Sequence, residues 1–321
     1  MNRIIASLII LCGVSSSVSA QIPDYRKGFE FSGSASLGMS GLNYNPSVGT
    51  HANGPGVGLG LGFGYFLTPH WGISTGLDFS LYSAYAKIPS DYTFSKYTYD
   101  SDGIPYDLKF KLTDNVKESN TVYSFEIPLL IHYRYFLSNH NALFAAGGLK
   151  LAIPFAGHYH VSKGSVTTSG YYQNLGVELK DIPWLGFTSN DFSDSHGMIP
   201  LKNSYMASLE LGYLYNLSKR TYLTVSLYGN VGINNLRRGK TQGSLLYSYS
   251  QYISVPCSDL ITRANLISFG IKGAWHVNIS GTPLHGQRRT IEQPAAKPEQ
   301  PVRNEAPATT GRHGMHHGGT R

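Results

Sequence analysis

Eight stretches of this chain alternate apolar residues with small or polar ones over twelve or more positions, and in all eight the apolar set falls on odd numbers. The clearest is 56–67, where Val57, Leu59, Leu61, Phe63 and Tyr65 alternate with Gly56, Gly58, Gly60, Gly62 and Gly64. Successive side chains of a strand point to opposite faces. Each stretch therefore reads as a strand with one greasy face and one small, polar face, the pattern of a transmembrane β-barrel. The other seven are 29–41, 71–85, 121–136, 142–155, 205–217, 221–233 and 265–279. Soluble strands usually run to five or six residues, whereas a tilted membrane strand needs about 9–11 within the hydrocarbon.

The charges divide the same way. Glu30, Asp78, Glu126, Arg134, Lys150, Glu210 and Lys272 all sit on the even face, and no charged residue sits on the odd face of any of the eight. A charge on the lipid face near the midplane costs roughly 2–4 kcal/mol, so the odd face is assigned to lipid. A soluble β-sandwich also alternates, but its strands are shorter.

Connection lengths add direction. Residues 68–70, 138–140 and 218–220 are tight turns, whereas 42–55, 86–120, 156–204 and 234–264 are long. Short periplasmic turns opposite long external loops are the expected asymmetry, which puts both termini in the periplasm. Outward aromatics gather near the short turns (Tyr65, Trp71, Tyr133, Tyr135, Tyr213, Tyr215, Trp275) and near the other end (Tyr85, Tyr123, Phe155, Tyr205) as interfacial girdles. The fold expected is an all-β, eight-stranded, antiparallel up-and-down barrel over 21–280. A hairpin at 170–179 in the third long loop is where two further strands could hide.

Residues 1–20 read as a signal peptide: Arg3, an apolar run from Ile4 to Val14, and Val18, Ser19 and Ala20 as a small-x-small cleavage site. Leu11 is too large for Cys12 to be a lipidation site. Removal of the leader leaves Cys257 alone, so no intrachain disulfide is expected. Residues 281–321 combine recurrent proline with little apolar bulk and read as a disordered periplasmic tail. The tail carries six Lys/Arg against three Glu, suited to contact with an anionic cell wall or a periplasmic partner. A sequence pI near 9.2 does not indicate nucleic acid in a secreted barrel, and none is expected as a partner.

Phe125, Glu126, Ile127, Pro128, Leu129 and Leu130 resemble the Leu/Phe-Glu-Ile-Pro-Leu motif of the PorT-like outer-membrane β-barrel family. The stretch from Gly64 to Leu67 with that from Trp71 to Leu77, and the stretch from Tyr228 to Asn234, are similar to the family's second hairpin and seventh strand. The resemblance spans about 28–279 and implies an eight-stranded barrel in a Gram-negative outer membrane. It implies no activity. Family members usually end on an aromatic after the last strand, whereas this chain runs on into its tail.

An eight-stranded barrel is just wide enough for side chains to fill it. The seven even-face charges are therefore expected to form a lumen ion-pair network, with Arg134 and Lys272 compensating Glu126 and Glu210 and no open pore. Pro128 is expected to mark a bulge or kink. His158, His160 and Ser162 resemble the His/Ser spacing of barrel-type lipid A deacylases, but by parity they face inward, away from lipid. No catalytic residue and no cofactor are expected. His313, Met315, His316 and His317 lie in a tail without supporting structure, so no specific metal site is expected. Aromatics in the second loop (Tyr92, Phe94, Tyr97, Tyr99, Tyr106) and third loop (Tyr171, Tyr172, Trp184, Phe187, Phe192) either bind sugars or proteins or pack together as a cap. The expected role is a non-enzymatic barrel, structural or binding, either on its own or as a subunit of a secretion or uptake complex, among outer-membrane lipid and lipopolysaccharide. The alternatives are a narrow gated conduit and, third, a lipid-modifying enzyme.

Overall fold

The computed structural model describes residues 27–138, 140–218, 220–238, 243–248 and 251–280. Residues 1–26 and 281–321, on which the expected signal peptide and the expected tail with His313, His316 and His317 fall, lie outside the described residues. In chain order the strands are β1 (Gly28–Tyr44), β2 (Thr50–Phe66), β3 (Trp71–Ile88), β4 (Thr93–Tyr99), β5 (Pro105–Leu112), β6 (Val116–Phe136) and β7 (Asn141–Lys163). Then come β8 (Ser165–Tyr172), β9 (Val177–Leu179), β10 (Ser189–Asp191), β11 (His196–Met198), β12 (Ser204–Asn216), β13 (Thr221–Gly232), β14 (Leu246–Ser248), β15 (Gln251–Tyr252) and β16 (Ala264–Asn278). No helix among them is long and apolar enough to cross a membrane.

Eight strands close into a ring. Its order is β7-β12-β13-β16-β1-β2-β3-β6, and β6 pairs back to β7. All these ladders are antiparallel. The seam joins the first strand to the last, from Glu30↔Asn278 to Tyr44↔Ala264, so the ring has no unpaired edge. Odd residues oppose odd residues through the span, as at Ala35↔Gly273 and Leu211↔Leu227. The parity therefore carries around the wall: Leu61 is 73 % and Leu227 67 % exposed, whereas Glu126 is 1 % and Glu210 5 % exposed. A continuous apolar band of this kind exceeds what a soluble monomer exposes; its solvent is lipid.

Five strands run three or more residues further toward the long-loop end than the alternation predicts, among them β1, which continues to Tyr44, and β2, which begins at Thr50. β3 continues to Ile88, β6 begins at Val116 and β7 continues to Lys163. Two bulges on β7 change its facing there. Opposite Tyr123 and Ser124, β7 offers Ala156 and Pro154, so Phe155 is an extra residue; opposite Lys117 and Glu118 it offers Lys163 and Val161, so Ser162 is another. A single extra residue reverses the side-chain alternation. His158 and His160 therefore pair with outward Thr121 and Ser119 and are exposed, while Val161 is buried. This overturns the parity reading: His158, His160 and Ser162 face outward. Pro128 carries no bulge either; Ile127↔Leu151, Pro128↔Lys150 and Leu129↔Leu149 are in unbroken register.

Beyond the wall, β10-β8-β5-β4 form a second sheet, with β9 also on β8. The hairpin anticipated at 170–179 is present as Gly170↔Leu179 to Tyr172↔Val177, but it belongs to this cap, and the barrel keeps eight strands. Most loop aromatics pack together: Phe94 stacks on Phe110 at 5.0 Å, Tyr106 on Tyr172 at 5.1 Å and Phe192 on Tyr252 at 5.2 Å. Tyr97, Tyr99 and Trp184 remain exposed.

Leu211→Arg is expected to destabilise the barrel by about 2–4 kcal/mol. Ser32→Asn, on the inner face, should leave assembly intact. Heat-modifiability on gels checks this; equal assembly of the two variants would reverse the facing assigned here.

Candidate functional site

The inner face is organised in layers from the short-turn end upward. At the bottom, the Arg134 guanidinium of β6 donates to both oxygens of Glu30 on β1, at 3.2 and 2.7 Å. It lies 3.4 Å over the Phe66 ring and also donates to the Tyr222 hydroxyl. Tyr222 and Asn278 donate to Glu30 in turn. A bidentate, charge-assisted pair of this kind fixes geometry as well as energy. Here it ties together β1, β6, β13 and β16.

The next layer holds two histidines. His132 Nε2 lies 2.6 Å from Ser74 Oγ, and His276 Nε2 lies 3.1 Å from Thr224 Oγ1, with its ring stacked on Tyr222 at 4.3 Å. Above them Lys272 donates to Glu210 at 2.8 Å. Lys150 then bridges Asp78 at 3.0 Å and Glu126 at 3.4 Å, while Tyr82 donates to the other Glu126 oxygen. All seven even-face charges thus lie in the lumen in three groups. One pairing differs from expectation: Arg134 compensates Glu30, and Glu126 is held by Lys150. Arg134 is eight residues from Glu126 on the same strand, about 26 Å along it, and cannot reach. Gly60 makes one of these contacts possible, since a Cβ there would collide with Asp78 Oδ1 and Ser34 Oγ.

The space left between the layers is a void of about 70 Å³ lined by Ser32, Ser34, His132, Arg134, Lys272 and His276, room for a few waters.

At the long-loop end the lining changes character. Leu42, Tyr82, Val122, Met206 and Leu266 on the inner wall are fully or almost fully buried. They meet Leu245, Leu246, Tyr252, Val255, Leu260 and Ile261 from the last long loop in one apolar cluster. This plug has a polar latch. Glu118, 2 % exposed, accepts from Tyr252 Oη at 2.6 Å, Ser254 Oγ at 2.8 Å and the Val255 backbone N–H at 2.9 Å. Among the described residues no cation lies within ion-pair range of it. Arg237 ties the plug from behind, donating to the carbonyls of Cys257 at 3.1 Å, Ser258 at 2.8 Å and Ile261. Burial, with the nearby Glu118 charge, pushes the Cys257 thiol up to about 11, so it stays an unreactive thiol at neutral pH. Neither Glu118 nor the plug follows from the alternation of the eight spanning segments. The available signal is that even positions turn from polar to apolar toward the outer strand ends.

The outward trio shows no catalytic contact. Ser162 Oγ donates to the Lys117 carbonyl at 3.4 Å, and His160 Nε2 lies 3.7 Å from Asp194 Oδ1. Among the described residues, no three His, Cys, Asp or Glu side chains gather as metal ligands.

Arg134→Met leaves Glu30 buried without its cation and is expected to cost about 3–5 kcal/mol. Adding Glu30→Gln should recover at least half of that loss. Urea unfolding in lipid vesicles measures both, and a double variant no better than the single would show that the pair is not the source of the loss.

The outer membrane protein β-barrel domain family matches residues 19–238. No curated protein matches the chain. Among solved structures, Neisserial surface protein A is similar at 12 % identity and TM-score 0.34, over 78 % of this chain and 97 % of its own. OprG from Pseudomonas aeruginosa is similar at 11 % and 0.33, over 78 % and 96 %. The attachment invasion locus protein Ail of Yersinia pestis, solved with a heparin analogue, is similar at 11 % and 0.27, over 78 % and 99 %. The family match covers more than half of the chain and takes in every wall strand but β16; the chain belongs to the outer membrane protein β-barrel domain family.

Proposed function

We propose that this protein is a sealed, non-enzymatic barrel of the outer membrane that serves as a structural and docking element and not as a pore. The observation that carries this reading is the latched plug: an apolar seal held by three hydrogen bonds to one buried carboxylate, above three layers of paired charge. Support for a docking role comes from the cap sheet, whose β4 edge presents Tyr97 and Tyr99 with exposures of 58 and 61 %. In this reading the short-turn end, with both termini, faces the periplasm and the cap faces the cell exterior. The motif from Phe125 to Leu130 supports placing the chain with PorT-like barrels, and the basic tail supports a periplasmic contact within a larger envelope complex. A non-enzymatic role is favoured because the Ser162 hydroxyl donates to a backbone carbonyl, where a nucleophile would donate to a base.

A conduit for small ions is the competing reading, favoured by the polar void around His132 and His276. Planar-bilayer recording separates the two. The purified protein is expected to show no stable conductance on the nanosiemens scale; steady openings of that size would replace the sealed barrel with the conduit.

A further inference from the structure

Bulges on β2 and β7 and the extended ends of β2, β3, β6 and β7 build a second surface on the outer wall. Register places Lys87 of β3 opposite Lys117 of β6, and Lys117 opposite Lys163 of β7. All three side chains are exposed. Lys163 is paired with Asp114 at 3.0 Å. Among the described residues no carboxylate lies within ion-pair range of Lys87 or Lys117. Like charges directly opposed across a ladder repel, so this row is an unfavourable arrangement unless an anion sits against it. A groove of about 470 Å³ opens at the same place, and its lining includes Thr50, Tyr85, Lys87, Lys117, Ser119 and Ser162. It offers two ammonium groups and the Thr50 and Tyr85 hydroxyls, while the Ser119 and Ser162 hydroxyls donate to the His160 and Lys117 carbonyls.

Height identifies the occupant. Directly below, on the same three strands, Phe79, Phe125 and Phe155 form an outward aromatic cluster, with Phe125 and Phe155 4.8 Å apart. Tyr123 sits at its upper margin, 6.3 Å from Phe155. From Tyr135, in the lower girdle, to Tyr123 is about 40 Å of strand, or about 30 Å of height at a tilt near 40°. Lys117 stands a further ~15 Å above Tyr123 by the same arithmetic. The groove is therefore outside the hydrocarbon yet continuous with the lipid-facing wall. We infer that Lys87 and Lys117 hold the phosphorylated saccharide headgroup of an outer-leaflet glycolipid whose acyl chains lie along β3, β6 and β7. This rests on the reading that the long-loop end faces the cell exterior.

The test uses full-length protein in zwitterionic nanodiscs, titrated with rough-type lipopolysaccharide, its enzymatically dephosphorylated form, and inorganic phosphate. The Lys87→Ala/Lys117→Ala variant should bind the phosphorylated glycolipid roughly five- to tenfold more weakly, with the difference closing at 0.5 M salt. Lys87→Arg/Lys117→Arg should retain binding, as should Lys109→Ala/Lys111→Ala on the cap. Heat-modifiability confirms that each variant is folded. Equal affinity of wild type and the double alanine variant would overturn the site. Competition by inorganic phosphate as strong as by the glycolipid would assign the lysines to a free anion and overturn the lipid source. Orientation is read separately, by impermeant-maleimide labelling of Tyr99→Cys in intact cells in a Cys257→Ser background. An unlabelled cap would overturn the orientation, and the outer-leaflet assignment with it, whatever the nanodisc affinities.

Discussion

Pairing of β1 with β16 along their whole length leaves the inner face of eight strands with no bulk water to meet. The charged groups on that face are then stable only where a partner reaches them within a narrow lumen. The layered interior follows from this constraint. Arg134 reaches Glu30 across the ring, Lys150 draws together Asp78 and Glu126, and Lys272 takes Glu210. Arg134–Glu30, Lys150–Asp78 and Lys272–Glu210 each link strands that are not neighbours in the wall, so the charges that make the lumen expensive to dehydrate also brace the wall that dehydrates it.

The wall itself was legible. Alternation with period two is a local signal, and a closed ladder preserves parity from strand to strand, so Leu59, Leu129 and Leu211 could be assigned to lipid and Glu126 and Lys150 to the interior without knowing any partner. Individual ion pairs were not legible, because they depend on height in the ring. Arg134 and Glu126 share a face but stand about 26 Å apart along β6. Facing beyond the span was lost for a different reason. Phe155 and Ser162 look like ordinary strand residues, yet each is an extra residue against β6, and one such insertion turned His158 and His160 outward. Pro128 shows the converse, a residue with bulge chemistry that lies in register.

The plug was hidden because its contacts are nonlocal. Leu245, Leu246, Val255 and Ile261 sit in a loop without periodicity, and nothing nearby in sequence indicates that they fill the mouth above Tyr82 and Met206. Glu118 holds the seal. It lies outside the segment that the alternation marks, it is buried with no cation in ion-pair range among the described residues, and its two oxygens gather the Tyr252 hydroxyl, the Ser254 hydroxyl and the Val255 N–H. A carboxylate so placed is stable only while the plug stays seated, which couples closure of the mouth to a single side chain.

Hydrogen–deuterium exchange of the 251–263 segment in lipid nanodiscs tests the seal most directly. In a sealed barrel the Val255 and Ser258 amides exchange as slowly as the neighbouring strand β16, and Glu118→Gln speeds them while β16 stays protected. Complete exchange of the segment within seconds in the unaltered protein, with β16 still protected, would show a mobile loop over an open mouth and would contradict the sealed barrel.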